Sequence, residues 1–251
     1  MEELKNRVKI GYSRPWVVAK YSSVGLWPSE QVVCEAFFTP GSRILDLGCG
    51  AGRTTVPLRQ LGYDVVAVDL AKPMVDQAKR FTDKVTAPVS FAVADATDLP
   101  FRDESREGIL FSYNGIELIP KEHGKVAAIA EAWRILKPGG YLIFTTHAFE
   151  AFNRYAVSRL QRLVIDLLNR LTKRADPDAE FGEIIPHPER NVEVYYMQIN
   201  SPRKYRRLLK AQGFSVDYFN SRSRIDTDRP PSRWADFDGD FKFYVARKVS
   251  K

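Results

Sequence analysis

Cysteine is nearly absent from this chain of 251 residues: only Cys34 and Cys49 occur, in no C-x-x-C pair and with no histidine cluster beside them. That scarcity excludes a disulfide framework and a thiolate zinc site, so no metal is expected. Histidine is as scarce, with His123, His147 and His187, which leaves few imidazoles for proton chemistry at neutral pH. No stretch reaches the roughly 18 uninterrupted apolar residues of a membrane span, and Met1-Glu-Glu-Leu-Lys lacks the apolar core of a signal peptide. A cytoplasmic protein with no membrane partner is the expectation. A dense basic patch is missing too. The net charge of +7 is spread: residues 147–213 carry 12 basic and 8 acidic residues, whereas 41–146 carry 13 of each. Phosphate-backbone binding usually shows as one concentrated stripe, so nucleic acid is an unfavoured partner; the mild bias fits an acidic small substrate as well as RNA, and a plain solvated surface best of all. Asp236, Asp238 and Asp240 hint at a calcium loop, but a glutamate is needed at its twelfth position, and residue 247 is Arg.

What is present is ordinary globular composition, 44% hydrophobic and 27% charged, in a chain long enough for one α/β domain with an insertion. Its organising stretch is Arg43-Ile-Leu-Asp-Leu-Gly-Cys-Gly-Ala-Gly-Arg-Thr-Thr55. An apolar run meets Gly48, Gly50 and Gly52 and then residues that can open a helix, the pattern of strand, tight turn and helix. Such glycines tolerate positive φ and let a ligand approach the backbone. A dinucleotide fingerprint needs its third glycine at position 53, which is Arg, and a P-loop needs G-K-S/T, which is absent.

From residue 43 strand-like and helix-like segments alternate, predicting a parallel sheet with helices on both faces. Strands are expected at Arg43–Leu47, Asp64–Val68, Val89–Ala94, Gly108–Ser112, Tyr141–Thr146, Phe214–Tyr218 and Phe241–Arg247, and helices at about 52–61, 73–82, 121–136 and 202–212. The last two strands have no helix between them, so the seventh is expected antiparallel. Before this core, Ser29 can cap a helix reaching Phe38, and Tyr12, Trp16 and Tyr21 stand among turn residues. Within 147–201, Phe152, Tyr155, Ala156, Leu160, Leu163, Val164, Leu167, Leu168 and Leu171 recur at helical spacing with Arg154, Arg159, Arg162 and Arg170 between them. This spacing predicts a long amphipathic helix, satisfied by a helix packed on the body, and then a turn-rich stretch through Pro177, Pro186 and Pro188.

The motif Asp46-x-Gly48-x-Gly50-x-Gly52 resembles motif I of the class I S-adenosylmethionine (SAM)-dependent methyltransferases. Asp69 and Asp95 stand at the ends of strands two and three, the side where open α/β sheets bind ligands. Asp95-Ala-Thr-Asp-Leu-Pro-Phe101 and Trp133-Arg-Ile-Leu-Lys-Pro-Gly-Gly140 are similar to signatures of the ubiquinone/menaquinone-biosynthesis type within that family. Arg106-Glu107 departs from it, where an aromatic followed by Asp is usual.

The resemblance implies a Rossmann-like, doubly wound, seven-stranded sheet: a SAM-binding core over 41–146 and 202–251, an N-terminal lid over 1–40 and a helical cap over 147–201. It implies a cofactor site at Tyr21, Asp46, Gly48, Cys49, Gly50, Gly52, Asp69, Leu70, Asp95, Ala96 and Ser112, with Asp69 on the ribose and Asp95 and Ala96 on the adenine. SAM would be consumed to S-adenosylhomocysteine by methyl transfer to O, N or C of a small molecule. His147 is the candidate base, and Tyr113 and Glu117 the candidate orienting groups; His123 and His187 read as surface residues. RNA modification and SAM binding without catalysis are the alternatives. The Asn/Asp-Pro-Pro-Tyr/Phe sequence of adenine-N6 methyltransferases is absent after strand four, where Ser112-Tyr-Asn-Gly-Ile-Glu117 stands.

Overall fold

The computed structural model of the chain describes residues 1–82, 89–172, 178–186, 194–239 and 241–249. His187, Pro177, Pro188 and Asp240 lie outside these; His123 is exposed, while Asp236 and Asp238 pair with Arg206 and Arg224.

Three helices precede the sheet where the sequence reading expected one: α1 (Glu2–Tyr12), α2 (Pro15–Ser23) and α3 (Pro28–Phe37). Acidic Glu2 and Glu3 open α1 and Lys9 closes it, matching the helix dipole at both ends. Pro15 and Pro28 open the next two, where a missing N–H costs nothing. The expected cap at Ser29 is corrected: the N-cap is Trp27, whose backbone N–H donates to the Glu30 carboxylate at 2.7 Å, and Ser29 is buried inside the first turn.

The sheet follows the expected path. In chain order come β1 (Arg43–Leu47), α4 (Thr55–Gln60), β2 (Asp64–Asp69), α5 (Lys72–Thr82), β3 (Ser90–Val93), β4 (Arg106–Phe111), α6 (Lys121–Ile135) and β5 (Leu136–His147). After an excursion the chain returns through α8 (Pro202–Gln212), β8 (Phe214–Ser221), the single turn α9 (Arg222–Ile225) and β9 (Phe241–Lys248). The spatial order is β3-β2-β1-β4-β5-β9-β8, with β9 antiparallel to both neighbours. Several boundaries move by a few residues, two of them for a visible reason. α4 starts at Thr55 because residues 51–54 are spent on the turn. β5 begins at Leu136 because Leu136 pairs with Arg106 across a register shift that absorbs the Pro-Gly-Gly.

Alternate residues of each strand serve opposite cores, which is why the strands read as continuous apolar runs. Leu45, Ile109, Leu142 and Tyr244 pack under α6 and α8. Ile44, Leu110, Ile143 and Phe243 pack against Val33 and Cys34 of α3. The departure at Arg106-Glu107 is a packing device: Glu107 accepts from the Arg43 backbone at 2.8 Å and pairs with Arg43 and Lys137, joining β1, β4 and β5 at their amino ends.

Residues 147–201 hold α7 (Ala156–Leu171) and the two-stranded pair β6 (Glu183–Ile184) and β7 (Met197–Gln198). α7 does not pack its apolar stripe on the body. Arg159 donates to the Phe149 carbonyl at 2.9 Å and Arg162 to the Glu183 carbonyl at 2.7 Å, while Leu160, Val164, Leu167, Leu168 and Leu171 are 48–72% exposed. Among the described residues no helix is long and apolar enough to cross a membrane.

Two buried cations tie these parts together. Arg53, just past the glycine turn, donates to both Glu30 oxygens at 2.7 and 2.8 Å, to the Gly25 carbonyl at 3.0 Å and to Ser112 Oγ at 2.9 Å. Both partners of the pair are buried. Lys125 of α6 donates to the Ile119 carbonyl at 2.6 Å and to Gln198 of β7 at 2.7 Å. Burial, opposed by Glu117, Glu180 and Glu183, pushes its pKa down to about 7.

Replacing Glu30 with Ala strands the Arg53 charge in a dry site, which should cost about 3–5 kcal/mol. Urea unfolding reads this directly, and a loss near zero would show that the N-terminal helices do not depend on the pair. Lys125 titrates below its unfolded value, so above pH 7 the unfolded chain binds the extra proton. Its contribution to stability therefore rises with pH, by up to about 1.4 kcal/mol per pH unit, until it levels off as pH approaches the unfolded pKa. Urea midpoints at pH 7 and pH 9 should diverge between the native chain and Lys125→Met, the native chain gaining; parallel shifts would contradict the assignment.

Candidate active site

The glycine turn lies where strand order reverses, between β1 and β4, the crevice in which open α/β sheets take ligands. The turn is closed from below: the Gly48 and Cys49 amides donate to the Val68 carbonyl at 2.8 and 3.0 Å. Gly48 has φ +69°, and a Cβ there would meet the Phe111 ring at 3.0 Å. At Gly50, with φ +55°, a Cβ would meet nothing within 4 Å. One glycine is required by packing, and the other leaves the backbone open to a ligand.

A partly open cavity stands over the turn, a concave site of the kind that takes small ligands. Of the residues singled out from sequence, Tyr21, Gly48, Cys49, Gly50, Asp69, Leu70, Asp95, Ala96, Ser112 and Tyr113 line it. Asp46, Gly52, Glu117 and His147 are not among its lining residues. α1 and α2 form the opposite wall through Val8, Tyr12 and Tyr21, whereas Trp16 points to solvent.

The three carboxylates do different work. Asp46 is buried and accepts from Thr54 and Thr55 hydroxyls at 2.6–2.8 Å. Burial outweighs these bonds and raises its pKa to about 6. It fastens the end of β1 to the start of α4 from behind the turn. Asp69 is half-buried at the cavity wall, accepting from the Gly50 amide at 2.9 Å and the Ala71 amide at 2.8 Å. Desolvation lifts its pKa above the ordinary range, and those two amides oppose the lift. Asp95 accepts from the Lys5 ammonium of α1 at 2.6 Å and from Thr97 at 2.8 Å. Its partial burial alone would raise the pKa, but Lys5 and Thr97 hold it below the usual range. Cys49 carries a thiol pushed well up by burial and by Asp46 and Asp69, which makes it a packing residue.

Beyond the cavity an aromatic wall continues from Tyr21 to Tyr113 at 5.6 Å, Tyr113 to Trp27 at 4.9 Å, Trp27 to Phe241 at 4.9 Å and Phe241 to His147 at 4.9 Å. Tyr113 and Asn114 both hold positive φ, 50° and 61°, a conformation that costs non-glycine residues energy and gathers at functional sites. His147 is fixed twice by the buried Glu117: its Nδ1 lies 2.6 Å from Oε2, and its backbone N–H donates to Oε1 at 3.0 Å. Sequence reasoning missed Arg53 and Lys5. Each meets its carboxylate across a long sequence separation, 23 and 90 residues, so no local pattern marks them.

Known proteins bear on this geometry. Residues 44–140 match the methyltransferase domain family. The chain is 34% identical over 136 residues to a demethylmenaquinone methyltransferase of Renibacterium salmoninarum, covering 52% of this chain and 53% of that protein. It thus spans about half the length of the demethylmenaquinone methyltransferases it matches. A carboxy-S-adenosyl-L-methionine synthase of Shewanella loihica is 28% identical over 183 residues, 70% of each chain. A SAM-dependent methyltransferase structure from Methanosarcina mazei superimposes with a TM-score of 0.68 at 21% identity, covering 91% of this chain and all of that one, which speaks for the fold. Glycine turn, strand order and sequence kinship converge: residues 44–140 match the methyltransferase domain family, and the sheet that holds them has the fold of a SAM-dependent methyltransferase structure.

Proposed function

We propose that the chain binds SAM in the cavity between β1 and β4 and catalyses methyl transfer to O, N or C of a small-molecule acceptor, releasing S-adenosylhomocysteine. The observation that carries this reading is the meeting in one cavity of an open Gly50 backbone, the Asp69 carboxylate and the Asp95-Ala96 edge. Asp69 keeps lone pairs beyond its two backbone amides and can accept from both ribose hydroxyls. Asp95 and Ala96 take the adenine edge, with Lys5 sharing the Asp95 carboxylate. Leu70, Cys49 and Ser112 complete the walls, while Asp46 and Gly52 act by shaping the turn.

Bound SAM supplies a methyl group already activated on a sulfonium. The chain's own tasks are to align the acceptor and exclude water. Tyr21, Tyr113 and Trp27 supply the apolar wall for both. His147, with Nδ1 donating to Glu117, takes the acceptor's proton at Nε2 where the acceptor is a hydroxyl or amine. Residues 1–40 serve as lid, 41–146 with 202–251 as core, and 147–201 as the cap on the acceptor side. An acidic acceptor draws support only from the charge excess of 147–213, because Arg53 and Arg222 beside Trp27 are already paired with Glu30 and Asp226.

Transfer of labelled methyl from SAM into a metabolite extract, with mass identification of the product, tests the reading as a whole. Asp69→Ala should weaken SAM binding about tenfold to a hundredfold by calorimetry, since charge-assisted hydrogen bonds are lost; unchanged affinity would remove the ribose assignment. His147→Ala should slow turnover by about 10²–10⁴ with SAM affinity preserved, and full activity would reduce it to a loop residue.

A further inference from the structure

α7 is an amphipathic helix mounted the wrong way round for a packing element. Its polar side is tied to the flanking chain, through Arg159 on the Phe149 carbonyl and Arg162 on the Glu183 carbonyl. Val157, Leu160, Val164, Leu167, Leu168 and Leu171 recur at the three- and four-residue spacing of one face, and each is 48–72% exposed. Leaving so many aliphatic side chains in water is costly, and contiguous exposed apolar patches mark interaction sites.

A second exposed apolar cluster stands in the chain just before the helix's N-terminal end. Phe152 is 77% exposed and stacks on Phe237 at 5.6 Å, and its backbone N–H donates to the Phe237 carbonyl at 2.9 Å. Trp234, 58% exposed, lies 6.1 Å from Phe237. Arg154 caps the ring of Tyr155 at 4.7 Å, and Arg233 that of Trp234 at 5.4 Å; both arginines are exposed. The surface therefore has an aliphatic stripe, amphipathic aromatic rings and a rim of cations.

We infer that α7 and the adjoining Phe152–Trp234 patch lay this protein in the plane of an anionic lipid surface. Aliphatic stripe, interfacial Trp and Tyr, and arginine rim each match one layer of such a surface: acyl chains, carbonyl region and acidic headgroups. A second copy is a poorer occupant. A two-fold contact sets the same patch against itself, bringing like-charged rims together, and residues 147–213 already carry four more basic than acidic residues. Nucleic acid would use the arginines and leave the leucines unmatched. The expectation of no membrane partner came from the missing span, and a helix lying in the interface needs none. The inference stands apart from the methyl-transfer reading.

Flotation of the full chain with phosphatidylcholine vesicles, with and without phosphatidylglycerol, tests it. The protein should float with the anionic vesicles, less at high salt, and barely with the neutral ones. Leu160→Glu combined with Leu167→Glu should lower partitioning about tenfold or more, with melting temperature and SAM affinity unchanged because neither side chain packs on the body. Arg154→Glu with Arg233→Glu should reduce binding to the anionic vesicles selectively. Failure to float at low salt, or flotation indifferent to the leucine changes, would overturn the inference. A dimer in sedimentation equilibrium that the leucine changes dissociate would do the same by giving the stripe to a second copy.

Discussion

The buried ion pair between Arg53 and Glu30 is the interaction on which the cavity depends. It joins three parts that the chain makes separately: helix α3, the glycine turn and the end of β4, where Ser112 shares the network. Burying two charges is expensive, and only complete hydrogen bonding makes it tolerable. Here both Glu30 oxygens are engaged, and the guanidinium also reaches the Gly25 carbonyl. The same guanidinium lies 5.5 Å from the Trp27 ring and 5.0 Å from the Tyr113 ring. A single side chain thus holds the N-terminal wall against the turn and sets the aromatic surface beside it.

Around that clamp, three aspartates at successive strand ends have diverged in role. Asp46 spends its carboxylate on two threonine hydroxyls and is lost to solvent. Asp69 spends part of its capacity on the Gly50 amide, so the cavity-facing backbone and the cavity-facing carboxylate are braced by each other. Asp95 is joined to α1 through Lys5, so the cavity edge after β3 and the N-terminal wall meet at one carboxylate. Position at a strand end put all three near the crevice. Their partners decided which of them face it.

The excursion after β5 follows a different logic. Lys125 and Gln198 anchor it through a buried hydrogen bond, and Lys121 pairs with Glu183 at 2.9 Å. α7 is held by arginines on carbonyls and keeps its leucines outward. Along α7 polar groups make the attachments and apolar groups face away, the reverse of the core helices α6 and α8.

The sequence by itself determined the strand order's ingredients: alternating apolar runs, the glycine turn, Gly213 ending α8, and two final strands with no helix-like run between them. These are local properties, written in periodicity and φ preference, so they survive without coordinates. It also put Asp69, Asp95 and Ser112 at the cavity, because strand ends in a parallel sheet share one edge. Only the tertiary structure decided that Asp46 faces away, that Arg53 and Lys5 reach carboxylates on distant elements, and that Glu117 holds His147. Only it showed that the first 30 residues make helices that wall the cavity. Charge pairs across 23 or 90 residues leave no periodic trace. For α7 the period was legible, but an amphipathic pattern states that one face differs from the other, and which face meets the body is set by what the body offers it.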